Sequence, residues 1–407
     1  LGTVASATLL RRDGSTLHFA DPTLAMARDD GDQLELHYAY GPALLPPNTP
    51  STDGMWRYRD LLPLAPGEIR YPLTVGGTPL LASPRLRETT GCPALWLKDE
   101  TRGPTGSNKD RATAVVLEQA LRQGVRTASC ASTGNVGVSL AVGAAATGIR
   151  AVIFVPADVR DQKLQLMLLA GATVIKVRDG YEAAFALSRR SARTFGWHDR
   201  NTGVNPLTLE GKKTVALELW EQLGRTLPDA VVVPVGDGPT LCAMVKGFRE
   251  LLACGVPGRL PRIVAVQAEG CQPLKQAWDR HDPISPVEPR TIADGIAVGA
   301  PFSGPMVLRD VRETGGGFVA VPDEAMLQAI RTLARSGGIL AEPAGATAFA
   351  GLERALAAGL LDRGERIVVL VTGTGLKAQQ YLQSTASPLE VQGTLEEVER
   401  ALAAARL

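Results

Sequence analysis

Charge of one sign is missing from this sequence, as are paired cysteines and closely spaced histidines. Over 407 residues, 43 Lys+Arg face 42 Asp+Glu, a formal net charge of +1. That balance leaves no basic footprint for nucleic acid or an anionic membrane surface. Cys92, Cys130, Cys242, Cys254 and Cys271 are odd in number and never spaced C-x-x-C. This argues against both a disulfide framework and a zinc ribbon. Free thiols suit a reducing, cytoplasmic compartment. The four histidines, His18, His37, His198 and His281, offer no H-x-x-x-H pair, so no metal site is expected. No basic-then-apolar leader is visible. Thr127–Ile149 is free of charge and long enough to span a bilayer. It also holds Ser132-Thr133-Gly134-Asn135, and reads better as a strand, a polar loop and a small-residue helix.

What is abundant is glycine. The 43 Gly and 28 Pro make about 17% of the chain, against roughly 12% in average usage. Length and a 45% hydrophobic content predict two to three packed units. Thr8–Arg12 and Leu34–Tyr38 read as short strands, and Pro42–Pro50 as a loop. From residue 94 the chain alternates. Strands are expected at 94–98, 126–130, 150–155, 173–177, 230–235, 263–267 and 367–371. Helices are expected at 110–123, 136–147, 159–169, 181–195, 213–223, 240–253, 323–336 and 346–358. Thr394–Glu397 fits a capping box opening a C-terminal helix. Strands alternating with such helices predict an α/β fold with parallel sheets, whose ligands bind beyond the carboxyl ends of the strands.

Four glycine loops fall at those ends. In Thr105-Gly106-Ser107-Asn108-Lys109-Asp110-Arg111 the lysine stands where a helix begins. A cation is unfavourable there, which suits an amine of lowered pKa or one tied up as a Schiff base. A solvated lysine beside an aspartate cap is the alternative. Ser132-Thr133-Gly134-Asn135 opens a helix whose free N–H groups suit a carboxylate or phosphate, or it is a plain capping turn. Gly236-Asp237-Gly238-Pro239-Thr240 is neither a Walker loop nor a dinucleotide fingerprint. Asp237 would oppose an anion unless its side chain turns away. Thr372-Gly373-Thr374-Gly375 follows the last apolar strand, where a threonine hydroxyl can meet a ring nitrogen or simply cap a turn.

Taken together and in order, these loops resemble the fold-type II pyridoxal-phosphate enzymes, and among them the threonine synthases. Further matching stretches are Trp56–Pro63, Gly77-Thr78-Pro79-Leu80, Lys98-Asp99-Glu100, Asn205-Pro206, Glu210-Gly211, Lys213-Thr214, Lys246-Gly247-Phe248 and Glu342-Pro343-Ala344. The resemblance implies a tryptophan synthase β-like fold: two open, twisted parallel-sheet domains with the cofactor between them. An extension would occupy 1–70, a large domain 71–109 and 206–390, a small inserted domain 110–205 and a terminal helix 391–407. Lys109 would hold pyridoxal 5'-phosphate as an internal aldimine and shuttle protons, beside Asn108. Gly236, Asp237, Gly238, Pro239 and Thr240 would cradle its phosphate, Asn135 its phenolic oxygen and Thr372 its ring nitrogen. Ser132, Thr133, Gly134 and Asn135 would hold the substrate carboxylate, with Thr78, Thr202, Thr208 and Lys212 nearby. A homodimer acting on an amino acid is implied.

Two departures stand out. The family's arginine for the phosphate of O-phosphohomoserine falls at Thr208, and an asparagine of the same segment at Thr202. A hydrogen bond to a charged group is worth roughly 1.5–3 kcal/mol, so phosphate binding needs another cation, for which Lys212 and Arg200 are the candidates. Thr291–Val298 and Glu342–Ala346 look more like the threonine/serine dehydratases. The expected activity is a lyase nearest to threonine synthase. Alternatives are a dehydratase-like β-elimination, a β-replacement enzyme of specialised metabolism, a binding protein that keeps the fold, or a nucleotide-binding α/β protein.

Overall fold

The computed structural model describes residues 4–11, 13, 15–26, 32–157, 159, 162–382, 384 and 387–405. Of the expected elements, Arg12, Arg160, Asp161 and residues 406–407 lie outside the described residues.

The N-terminal segment forms a sheet of its own. Strands β1 (Val4–Leu10), β2 (Thr16–Phe19) and β3 (Gln33–Tyr38) pair antiparallel in the order β2-β1-β3, with helix α1 (Pro22–Met26) between β2 and β3. Two of these strands are expected from the sequence. The third, β2, is mostly exposed and carries no burial pattern to announce it.

The rest of the chain is α/β. In order it runs β4 (Leu80–Leu81), α2 (Pro84–Thr90), β5 (Leu95–Asp99), α3 (Lys109–Arg122), β6 (Thr127–Ala131) and α4 (Asn135–Thr147). Next come β7 (Arg150–Pro156), α5 (Gln162–Leu169), β8 (Thr173–Val177), α6 (Gly180–Phe195), β9 (His198–Asp199) and α7 (Leu207–Gln222). Then follow β10 (Ala230–Pro234), α8 (Pro239–Ala253), β11 (Arg262–Ala268), α9 (Pro273–Arg280), α10 (Gly304–Glu313) and β12 (Gly317–Val321). The chain closes with α11 (Asp323–Thr332), α12 (Pro343–Ala357), β13 (Ile367–Val371) and α13 (Leu395–Ala404).

A larger sheet has the order β12-β11-β10-β13-β5-β4, parallel except for β4. A smaller one, β8-β7-β6-β9, is wholly parallel. Along β13, Val368 and Leu370 join one core cluster while Ile367, Val369 and Val371 join another. Both faces of the sheet are thus covered, which is why its strands read as unbroken apolar runs. Helices α7, α8 and α10 cover one face; α11 and α12 cover the other.

Most boundaries agree with the sequence pattern within a residue or two. Three differ more. α7 starts at Leu207, six residues before the expected Lys213. The Asn205 side chain accepts from the Leu207 N–H (2.9 Å) and nucleates the first turn. The described part of α5 is Gln162–Leu169, and Val159 is not helical. α11 ends at Thr332 in a π-helical turn over Leu333–Gly337. The terminal capping box is present, Thr394 Oγ1 accepting from the Glu397 N–H. Among the described residues, no helix is long and apolar enough to cross a membrane, and no cluster of His, Cys, Asp or Glu could hold a metal ion. All five cysteines are free and buried.

Candidate active site

Strand β5 leads through residues 100–108 into α3, and this loop is stitched to the one following β13. The Asn108 N–H donates to the Thr372 carbonyl (3.0 Å) and the Thr374 N–H to the Gly106 carbonyl (2.8 Å). The Lys377 ammonium donates to the Thr105 carbonyl (2.5 Å). Gly106 has φ +68, and a Cβ there would lie 2.5 Å from the Thr374 methyl, so glycine is required. Lys109 is therefore fixed as the first residue of α3. Its Nζ donates to Asn108 Oδ1 (2.7 Å), and Asn108 Nδ2 donates to Thr240 Oγ1 (3.2 Å). One chain of side chains thus joins the N-termini of α3 and α8. Burial, more than the nearby Arg200, Lys377 and Lys163, pushes the Lys109 amine down to about 8, against an upward pull from Glu342. A solvated lysine does not describe it.

Between β6 and α4, the Ser132 hydroxyl accepts from the Gly134 N–H (3.2 Å). Asn135 is buried; its Nδ2 donates to Glu342 Oε1 (2.5 Å), and its Oδ1 has no partner among the described residues. Glu342 also ion-pairs with Lys163 (3.2 Å), which bonds Asp294 (2.5 Å). These contacts tie the smaller sheet's helices α4 and α5 to the start of α12. The Thr133 side chain and the Thr372 hydroxyl have no hydrogen-bond partner among the described residues.

The loop from β10 to α8 resolves the question of Asp237. Its Oδ1 accepts from the backbone N–H groups of Phe302 (2.6 Å) and Ser303 (3.4 Å), so the carboxylate is engaged by the segment that leads into α10. Gly238 has φ +104, and a Cβ there would lie 2.2 Å from Val307. Pro239 is the first residue of α8, whose opening N–H groups have no intrahelical acceptor.

The remaining expected residues divide. Thr202 Oγ1 accepts from Arg200 Nη1 (2.9 Å), and Arg200 Nη2 donates to the Lys109 carbonyl (3.2 Å), so both lie beside α3. Lys212 is 1% exposed and held well below its usual pKa by burial first, then by Lys109 and Arg200. Thr208 is fully buried, its hydroxyl committed to the Asn205 carbonyl (2.7 Å). Thr78 belongs to a different cluster. It donates to Glu100 (2.6 Å), inside the buried network that joins Arg111, Glu100, Glu218 and Lys98. Glu342, Lys163, Asp294 and Lys377 share the site, and the sequence singles out none of them individually. Only their membership of the stretches Glu342–Ala346 and Thr291–Val298 marks Glu342 and Asp294, and Lys377 stands two residues after the Thr372–Gly375 loop; nothing local marks Lys163.

Fold and site together define an α/β enzyme scaffold that sets an amine of lowered pKa among loops suited to anions. Residues 71–373 match the family described as pyridoxal-phosphate dependent enzyme. The chain is 36% identical over 353 residues to the threonine synthase of Methanocaldococcus jannaschii, covering 86% of this chain and 87% of that protein. It is 38% identical over 354 residues to the threonine synthase of Methanosarcina acetivorans, covering 86% of each. Among solved structures, a threonine deaminase from T.th. superposes with a TM-score of 0.61 at 26% identity, covering 76% of this chain and 94% of that one. Diaminopropionate ammonia lyase from Escherichia coli gives 0.64 at 21% identity, covering 75% and 86%, and bears on the fold alone. The chain belongs to the pyridoxal-phosphate-dependent enzymes. Within them it is a lyase of the threonine synthase type.

The residues fit the cofactor. Asn135 Oδ1 is a buried acceptor left unsatisfied, a costly state that calls for a donor. The head of α8 offers opening N–H groups to an anion, and the Asp237 carboxylate beside it is bonded to the Phe302 N–H. Lys109 supplies an amine of the right character.

Proposed function

We propose that the chain acts on an L-amino acid carrying a leaving group at its β or γ carbon. The nearest named reaction is conversion of O-phosphohomoserine to threonine and phosphate. One observation carries this reading: the Lys109 amine, brought down to about 8 by burial, stands at the first residue of α3 against Asn108, whose amide reaches the head of α8. Pyridoxal phosphate, when bound, supplies the electron sink that lets a Cα proton leave.

The chain's own residues do the rest. Lys109 would hold the cofactor through Nζ, with Asn108 keeping that atom oriented toward the head of α8. Gly236, Asp237, Gly238, Pro239 and Thr240 would take its phosphate on backbone N–H groups, Asp237 fixing the loop from behind. Asn135 would face its phenolic oxygen, and the free hydroxyl of Thr372 its ring nitrogen. Ser132, Thr133, Gly134 and Asn135 would hold the substrate carboxylate. Lys109 Nζ, once free, takes the proton from Cα and returns one later. An amine with a pKa near 8 serves in both directions. Thr78 and Thr208 have no direct part in this reading, because their hydroxyls are committed elsewhere.

The domain division follows the sheets. We read a small unit, 110–205, around β6 to β9, inserted in a large one formed by 71–109 and 206–390. A homodimer in a reducing compartment goes with this reading, supported for the compartment by five free cysteines.

A second reading has its own support. The likeness to a threonine deaminase at 26% identity, with the stretches Thr291–Val298 and Glu342–Ala346, favours β-elimination to a keto acid. One assay separates the two. Threonine and phosphate released from O-phosphohomoserine support the synthase. Keto acid from serine or threonine, with no threonine from O-phosphohomoserine, supports the eliminating enzyme.

A further inference from the structure

Helix α7 carries two expected site residues one turn apart, Thr208 and Lys212, which share a face. Thr208 is uncharged and its hydroxyl is already used. Lys212 is 1% exposed, yet its ammonium has no hydrogen bond or ion pair among the described residues. Its buried neighbours differ. Lys98 is answered by Glu218, Lys213 by Glu210 and Glu250, and Lys163 by Asp294 and Glu342. Arg200, also fully buried, shares the condition of Lys212. Its donors go to the Thr113 hydroxyl (2.9 Å), the Thr202 hydroxyl (2.9 Å) and the Lys109 carbonyl (3.2 Å), none to a carboxylate.

Both are buried cations near Lys109, and neither is in an ion pair among the described residues. Asp237 attracts Lys212, and Asp110 and Asp199 attract Arg200, only from beyond contact distance, which leaves room for an anion to complete the pairing. We propose that Lys212 and Arg200 form a subsite for a phosphate-class oxyanion, completed only when that anion arrives. This deepens the reading of Lys109 as the cofactor lysine and rests on it. The electrostatics agree: burial, then repulsion from Lys109 and Arg200, holds Lys212 well below its usual value, and burial brings Arg200 down to about 10 against an upward pull from its neighbours. The oxyanion has two possible sources: the far end of the amino-acid substrate, or the cofactor's own phosphate. Because the head of α8 already offers the cofactor a receiver, the substrate is the favoured source.

The test titrates the holoenzyme with inorganic phosphate by calorimetry, and the cofactor-free protein with pyridoxal phosphate by absorbance. Wild type, Lys212→Met and Lys212→Arg are compared, with circular dichroism confirming the fold. The expected result is phosphate binding to the wild-type holoenzyme. Lys212→Met should weaken it roughly tenfold to a hundredfold, and Lys212→Arg should restore most of it. Pyridoxal phosphate affinity should stay unchanged in both variants. A loss confined to pyridoxal phosphate affinity also supports the subsite, with the cofactor as the source. Folded Lys212→Met protein with both affinities unaltered overturns the proposal. Failure of the cofactor reading is separate: it shows as no adduct on Lys109, whatever the phosphate titration gives.

Discussion

Gly211 on α7 faces the backbone of α3 so closely that a Cβ would lie 2.2 Å from the Arg111 carbonyl oxygen. The two helices cross here without room for a methyl group, two residues beyond Lys109. Gly247 repeats the arrangement between α8 and α7, where a Cβ would lie 2.7 Å from the Lys213 carbonyl. Glycine at these crossings sets the spacing between the helices whose heads carry Lys109 and the Gly236–Thr240 loop. Gly211→Ala should cost about 1–3 kcal/mol through overpacking. It should also weaken pyridoxal phosphate binding by shifting Lys109. Urea denaturation and cofactor titration check both; an unchanged affinity would mean the crossing does not set the site.

Asp237 is predicted to act through the loop it holds. Asp237→Ala leaves the Phe302 and Ser303 N–H groups without their acceptor and should cost about 1–3 kcal/mol. Asp237→Asn keeps an oxygen acceptor and should stay closer to wild type. The denaturation midpoints of the two variants test this ordering.

The Lys109 amine should react with an acylating reagent along a displaced pH profile. In cofactor-free protein, mapped by peptide, half-maximal reactivity falls at about 8 rather than at the ordinary 10.5. The Glu342 carboxylate stabilises the charged form, so Glu342→Gln should move the profile to lower pH. A shift to higher pH would contradict the assigned geometry.

Buried ion pairs set a stability window. Glu218 receives Arg111 Nη1 (2.7 Å) and Lys98 Nζ (2.7 Å). Despite burial, these cations hold its carboxyl far below the ordinary 4.5. A depressed carboxylate contributes stability that is full above its unfolded value and lost as pH falls toward the folded one. Glu218→Gln should therefore cost about 3–5 kcal/mol at neutral pH, because it leaves buried Lys98 without its carboxylate and Arg111 with Glu100 alone. The gap from wild type should narrow as pH drops below 4.5. Denaturant midpoints across pH measure it.

Strands such as β10 and β13 were legible because they are buried on both faces and read as apolar runs; β12, equally buried, and the two-residue β9 were not expected. The early turns of α7 were not. Every residue from Leu207 to Trp220 is buried, so no polar face marks the helix. The four glycine loops were visible because only strand ends need them. Their partners were not: Asn135 and Glu342 stand 207 positions apart, and nothing local to either records the bond. The same holds for Lys212. Its residue type is plain in the sequence, but only folding reveals that no carboxylate among the described residues forms an ion pair with it.

The most direct test reduces the holoenzyme with borohydride and maps the modified peptide. The account predicts a single pyridoxyl group on Lys109 and none in Lys109→Ala. A holoenzyme whose cofactor is trapped on another lysine, or on none, would contradict it.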